Sequence, residues 1–87
     1  MSEEITVDLK FFASCREIAG TSNCSVTLPK TKLCVLDLIN HVLEIYPDLS
    51  ESVNEVSIAV NKKYIEDTAH ELQQGDVIAF IPPISGG

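Results

Sequence analysis

The groups in this 87-residue chain whose type and spacing could do chemistry lie at its C-terminal end. Pro82 and Pro83 fix φ and carry no N–H, so sheet pairing has to stop there and the backbone stiffens into an extended form. Ile84 and Ser85 follow, and Gly86 and Gly87 close the sequence. Without a Cβ, the last two peptides can enter a slot too narrow for any side chain. At about 3.3–3.6 Å per extended residue, Ile84 to Gly87 would project a terminal carboxylate on the order of 13 Å beyond the domain. The expectation is a stiff probe with a carboxylate at its tip. A frayed end needs neither the Pro-Pro spacer nor the apolar run Val77 to Ile81 that feeds it.

The remaining reactive side chains form no constellation. Cys15, Cys24 and Cys34 stand at spacings that match no zinc or redox motif, and only His41 and His70 could join them as soft ligands. No metal site is expected, and the cysteines read as free thiols of a reducing compartment, mostly buried as small apolar residues. There is no Ser/His/Asp set and no glycine-rich phosphate loop. Thirteen Asp and Glu against six Lys and Arg give a net charge of −7 without a basic cluster. Nucleic acid and anionic membrane are therefore poor partners, and a basic protein surface is a better one. The opening Met1-Ser2-Glu3-Glu4 is acidic rather than basic and apolar, so a cytosolic location is expected.

The elements that must hold the tail are legible from periodicity. Ile5, Val7, Leu9 and Phe11 alternate with Thr6, Asp8 and Lys10, predicting a half-buried first strand. Ser14 with Glu17 has the spacing of a capping box and Gly20 suits a left-handed stop, so a short helical turn is expected with Ile18 inward. Cys24 to Leu28 reads as a second strand, antiparallel to the first, with Pro29 ending it. The main helix is expected from about Val35 to Tyr46, where Val35, Leu38, Ile39, Val42 and Tyr46 fall on one face. Leu36, Leu43 and Ile45 broaden that stripe, Asp37 suits the positive end of the dipole, and Pro47 ends the helix. His41 and Tyr46 read as surface and core packing.

Residues 48–54 form a polar connection. Val56, Ile58 and Val60 alternate as a strand that Asn61-Lys62-Lys63 turns into Tyr64-Ile65. Gly75 takes the tight position of the turn before the last strand, Val77 to Ile81, which suits burial on both faces. The first and last strands are the most apolar, so they are placed side by side and parallel at the sheet centre. One amphipathic helix then covers one face of a mixed sheet. This is an α+β, β-grasp (ubiquitin-like) roll, a single domain over residues 1–87 with 82–87 projecting.

Against that frame the chain resembles the small subunits of molybdopterin synthase. The residues that carry the resemblance are Leu9-Lys10-Phe11-Phe12-Ala13 with Arg16-Glu17 and Ala19-Gly20, Val35 with Asp37-Leu38, and Ala59-Val60-Asn61. Leu72, Gly75-Asp76-Val77 and Ala79 to Gly87 complete it. Two positions depart from the pattern: Ile81 stands where a second aromatic is common, and Cys34 stands where a Thr or Ser helix cap is common.

The resemblance implies a sulfur carrier that is not an enzyme on its own. An activating enzyme related to ubiquitin-activating enzymes would adenylate Gly87 with ATP, and a sulfur donor would convert the adenylate to a thiocarboxylate. No cofactor would be held permanently. The tail would insert into the large subunit of molybdopterin synthase, in a heterotetramer of two small and two large subunits, and donate sulfur to cyclic pyranopterin monophosphate. Ser85 and Gly86 are assigned to the narrow part of that insertion. Ile84, Pro83, Pro82, Ile81 and Phe80 are assigned to hydrophobic docking, and exposed Arg16 to a pairing with the partner or a plain surface ion pair. Two other readings keep the tail. One is a carrier for another acceptor, in thiazole synthesis, tRNA thiolation or protein conjugation. The other is a β-grasp interaction module without covalent chemistry.

Overall fold

A computed structural model describes residues 3–29, 33–51 and 55–83. The expected insertion tip, Ile84, Ser85, Gly86 and Gly87, lies outside the described residues, as does the end of the polar connection expected over 48–54. Five strands and two helices follow in the order β1 (Glu4–Phe11), α1 (Ala13–Ala19), β2 (Asn23–Pro29), α2 (Val35–Ile45), β3 (Ser57–Val60), β4 (Lys63–Ile65) and β5 (Val77–Ile81). A 3-10 turn over Pro47–Glu51 follows α2.

The sheet order is β2-β1-β5-β3-β4. β1 and β5 pair in parallel at its centre, with Asp8 opposite Val77 and Phe11 opposite Phe80. β2 pairs antiparallel with β1, and β3 antiparallel with both β5 and β4. This is the expected β-grasp arrangement. One face of the sheet is dry because every second residue of β1 is apolar: Ile5, Val7, Leu9 and Phe11 are all at most 2% exposed. Val35, Leu38 and Val42, at helical spacing on α2, close over them. Phe11 sits between two rings, edge-on to Tyr46 at 5.6 Å and tilted against Phe80 at 5.4 Å.

Three local expectations are corrected. The helical turn α1 starts before Ser14: Phe12 takes the N-cap position without a side-chain cap, so Ser14 and Glu17 make no capping box. The earlier start rotates the inward face onto Cys15, which is fully buried, and leaves Ile18 38% exposed. Gly20 does stop the helix as expected, at φ 76°, with its N–H donating to the Arg16 carbonyl at 2.9 Å. On α2 the apolar stripe is narrower than its sequence, since Leu36 and Ile45 stand 48% and 45% exposed on the flanks.

Cys34 proves a sound helix start by an unexpected route. The Asp37 carboxylate accepts the Cys34 N–H at 3.1 Å and the Cys34 thiol at 3.3 Å. The first turn is thus closed from Asp37 rather than from a hydroxyl at the cap, and its charge also meets the positive end of the helix dipole. Asp37→Ala is expected to cost about 0.5–2 kcal/mol, the usual range for losing a cap, as a lowered thermal midpoint. Cys34→Ser should leave that midpoint nearly unchanged. A loss in Cys34→Ser with none in Asp37→Ala would show that the thiol, and not the carboxylate, does the capping.

Candidate docking face and tail exit

The tail leaves from the sheet centre. Pro82 is half-buried and Pro83 exposed, directly after the last β5 residue. Phe12 N–H donates to the Phe80 carbonyl at 3.2 Å, so the start of α1 is tied to the exit, and Arg16 stands exposed on that helix.

The pleat of β5 divides its residues between two environments. Ile78 is 0% and Phe80 3% exposed, both on the side of α2. Val77, Ala79 and Ile81 are half-buried on the other side. Two expectations change with this. β5 is not buried on both faces, because only one side of the sheet lies under α2. Phe80 is not a docking residue: its ring is packed against Phe11 and it belongs to the core. It also borders an apolar internal cavity of about 10 Å³, beside Cys15 and Val42. That is about the space of one water, too small for a ligand.

The outer face of the sheet is where side chains remain available. A row across it runs from Lys10 on β1 to Ala79, Ala59 and Tyr64, set by the register of β1 with β5, β5 with β3 and β3 with β4. The two alanines leave a shallow depression of about 450 Å³, with Phe12, Ile81 and Val77 along its margin. Phe12 is 46% and Tyr64 69% exposed. The margin also carries Lys10 and Lys62 but no carboxylate. Sequence reasoning missed Phe12, Tyr64, Lys10 and Lys62 as parts of one surface. The signal was present: Lys10 and Phe12 are out of phase with Leu9 and Phe11, and so point away from the core.

The hairpin beside this face has an unusual turn. Asn61 and Lys62 alone join β3 to β4, at φ 52° and 73°, so Lys63 belongs to the return strand rather than to the turn. Positive φ at both central residues is the pattern of a type I′ turn, where Asn-Gly is favoured. Asn61 anchors the turn with its side chain: its Nδ2 donates to Asp76 at 2.9 Å, and its Oδ1 accepts the Val77 N–H at 2.9 Å.

The three thiols are free and separate. Burial pushes the Cys15 thiol up, so it stays neutral at physiological pH. Among the described residues no group of three or more His, Cys, Asp or Glu is placed to hold a metal ion. Among the same residues no helix is long and apolar enough to cross a membrane.

A β-grasp sheet with one open apolar face, and its central strand running into a diglycine tail, defines a ubiquitin-like carrier class. The sequence profile of the ThiS family matches residues 9–87, and the chain belongs to that family. The human molybdopterin synthase sulfur carrier subunit is 36% identical over 93% of this chain and 93% of its own length. A solved structure assigned as subunit 1 of molybdopterin converting factor, from Pyrococcus furiosus, superposes with a TM-score of 0.83. It is 32% identical and covers 92% of this chain and 99% of that one. A chain from the complex of subunits 1 and 2 of the Helicobacter pylori molybdopterin-converting factor gives a TM-score of 0.69 at 26% identity. Coverage there is 95% of this chain and 100% of that one.

Proposed function

We propose that this protein is the sulfur carrier subunit of molybdopterin synthase, working at the C-terminal carboxylate of Gly87. The observation that carries the reading is the whole-length likeness to carriers of that name, at 36% identity to the human protein. The chemistry follows from what a carboxylate lacks. It is an unreactive acyl donor until one oxygen becomes a good leaving group. An activating enzyme supplies this by joining Gly87 to AMP from ATP, with release of pyrophosphate. A sulfur donor then displaces AMP and leaves a thiocarboxylate. Ser85 and Gly86 pass through the narrow part of the large subunit, and the thiocarboxylate gives its sulfur to cyclic pyranopterin monophosphate. ATP is spent on the activating enzyme, and no cofactor resides on the carrier.

The large subunit is the partner that the Helicobacter pylori complex of subunits 1 and 2 suggests. Two carriers and two large subunits assemble in the cytosol. Ile81, Pro82 and Pro83 dock, continuous with the outer sheet face, and Ile84 follows them toward the insertion. Arg16, exposed on α1, is available to pair with the partner.

The test is direct. Mixed with ATP, magnesium and the activating enzyme, the protein should release pyrophosphate. After addition of a sulfur donor, its intact mass should rise by the exchange of one oxygen for sulfur. A protein that releases no pyrophosphate with any activating enzyme of its host is an interaction module, not a carrier.

A further inference from the structure

We infer that the outer sheet face selects its partner through Lys62 and Lys10, and that the surface it fits is one apolar side chain ringed by carboxylates. This rests on the carrier reading above and names the chemistry of the large subunit's docking surface.

The first observation is charge against composition. The chain carries thirteen acids and six bases, yet the residues lining the depression on the outer face include two lysines and no acid. The adjoining carboxylates, Asp8 opposite Val77 and Asp76 before it, accept hydrogen bonds from Ser25 Oγ and from Asn61 Nδ2 and the Gln73 N–H. Both lysines are exposed. Net charge alone points to a basic partner; the local charge of the face points the other way. At contact distance the groups lining the depression decide, and the charged ones among them are the two ammonium groups. The floor of the depression is Ala79 and Ala59, so the partner must bring the bulk. A large apolar side chain entering there would meet Phe12, Tyr64 and Ile81, while carboxylates around it would meet the ammonium groups.

The second observation is independent of the first. Lys62 holds φ 73°, a left-handed backbone that favours glycine. Adding a Cβ at such a position strains the backbone, and side chains kept in strained conformations cluster at working sites. The turn does not need the lysine for anchoring, since Asn61 makes the hydrogen bonds that tie it to β5. A glycine would serve the turn better and would remove the charge.

The two roles therefore separate in one variant. Lys62→Gly should raise the thermal midpoint and, at the same time, slow association with the large subunit by about tenfold, the lower end of electrostatic steering. Lys10→Gln should slow association at an unchanged midpoint, and the double variant Lys10→Glu/Lys62→Glu should slow it further. Raising salt should slow the wild type and leave Lys10→Gln/Lys62→Gly nearly flat. Association is measured with the purified large subunit, and sulfur transfer is measured separately at saturating carrier. Unchanged or faster association in the lysine variants overturns the proposal, since a chain steered by its net negative charge would gain from losing lysines. Failure of the carrier reading looks different: wild type then transfers no sulfur at any concentration.

Discussion

Deleting Gly87 is expected to abolish sulfur transfer without disturbing the fold. The shortened chain still ends in a glycyl carboxylate of the same chemical kind, but its reach falls by about 3.3–3.6 Å. A misplacement of even about 1 Å can cost on the order of 100-fold in a positioned reaction. Gly86→Val should have the same effect without shortening, because a branched side chain cannot follow bare backbone into a narrow slot. Among the described residues the buried core reaches no further along the sequence than Phe80, so both variants should melt with wild type and still dock. Docked but inert, they should compete with wild type for the large subunit. The assay is conversion of cyclic pyranopterin monophosphate by purified large subunit and chemically thiocarboxylated carrier. Activity near wild type from the Gly87-deleted protein would remove the diglycine as the working end.

The second large effect separates two neighbouring residues. Phe80→Ala should lose roughly 3–5 kcal/mol of stability, the usual cost of truncating a buried phenylalanine. That is a large share of the roughly 5–15 kcal/mol that holds an ordinary domain folded. The ring is 3% exposed and stacks on Phe11 at a centroid distance of 5.4 Å, so its loss opens a hole at the sheet centre. Ile81→Asp should behave in the opposite way. Ile81 is half-buried on the outer face, so the fold should stay cooperative while docking weakens by about 2 kcal/mol or more, roughly 30-fold. Chemical denaturation and co-purification with the large subunit read the two losses. A Phe80→Ala protein that is fully stable but undocked would return Phe80 to the interface.

That pair also shows what could be read from the letters. Strand positions, the central parallel pair and the covering helix were legible because alternation in Ile5 to Phe11 and helical spacing in Val35 to Val42 are strong, mutually consistent signals. Phe80 was misplaced because Val77 to Ile81 is apolar at every position, so the sequence carries no alternation to say which side faces the helix. The register with β1 supplies it, by setting Phe80 beside Phe11. The capping box at Ser14 failed for a related reason: motif spacing was present, but the Phe12 carbonyl already accepts the Cys15 and Arg16 N–H groups, which puts Phe12 and not Ser14 at the cap. The docking face was invisible as a unit because Lys10, Ala59, Lys62, Tyr64 and Ala79 come from three separate stretches of chain. The assignments to Ile84, Ser85, Gly86 and Gly87 rest on the sequence, since they lie outside the described residues.

The parallel ladder between β1 and β5 has a kinetic consequence. The two strands at the centre of the sheet come from opposite ends of the sequence, with Asp8 opposite Val77. Such non-local pairing forms late, because the entropy of closing the long intervening loop has to be met before any contact rewards it. The outer face spans β1, β5, β3 and β4, and β5 joins β1 to β3. A chain halted before β5 docks has no such face to offer. An enzyme that engages the face before acting on the tail is therefore also reading whether folding has finished, and an unfinished carrier is left unloaded.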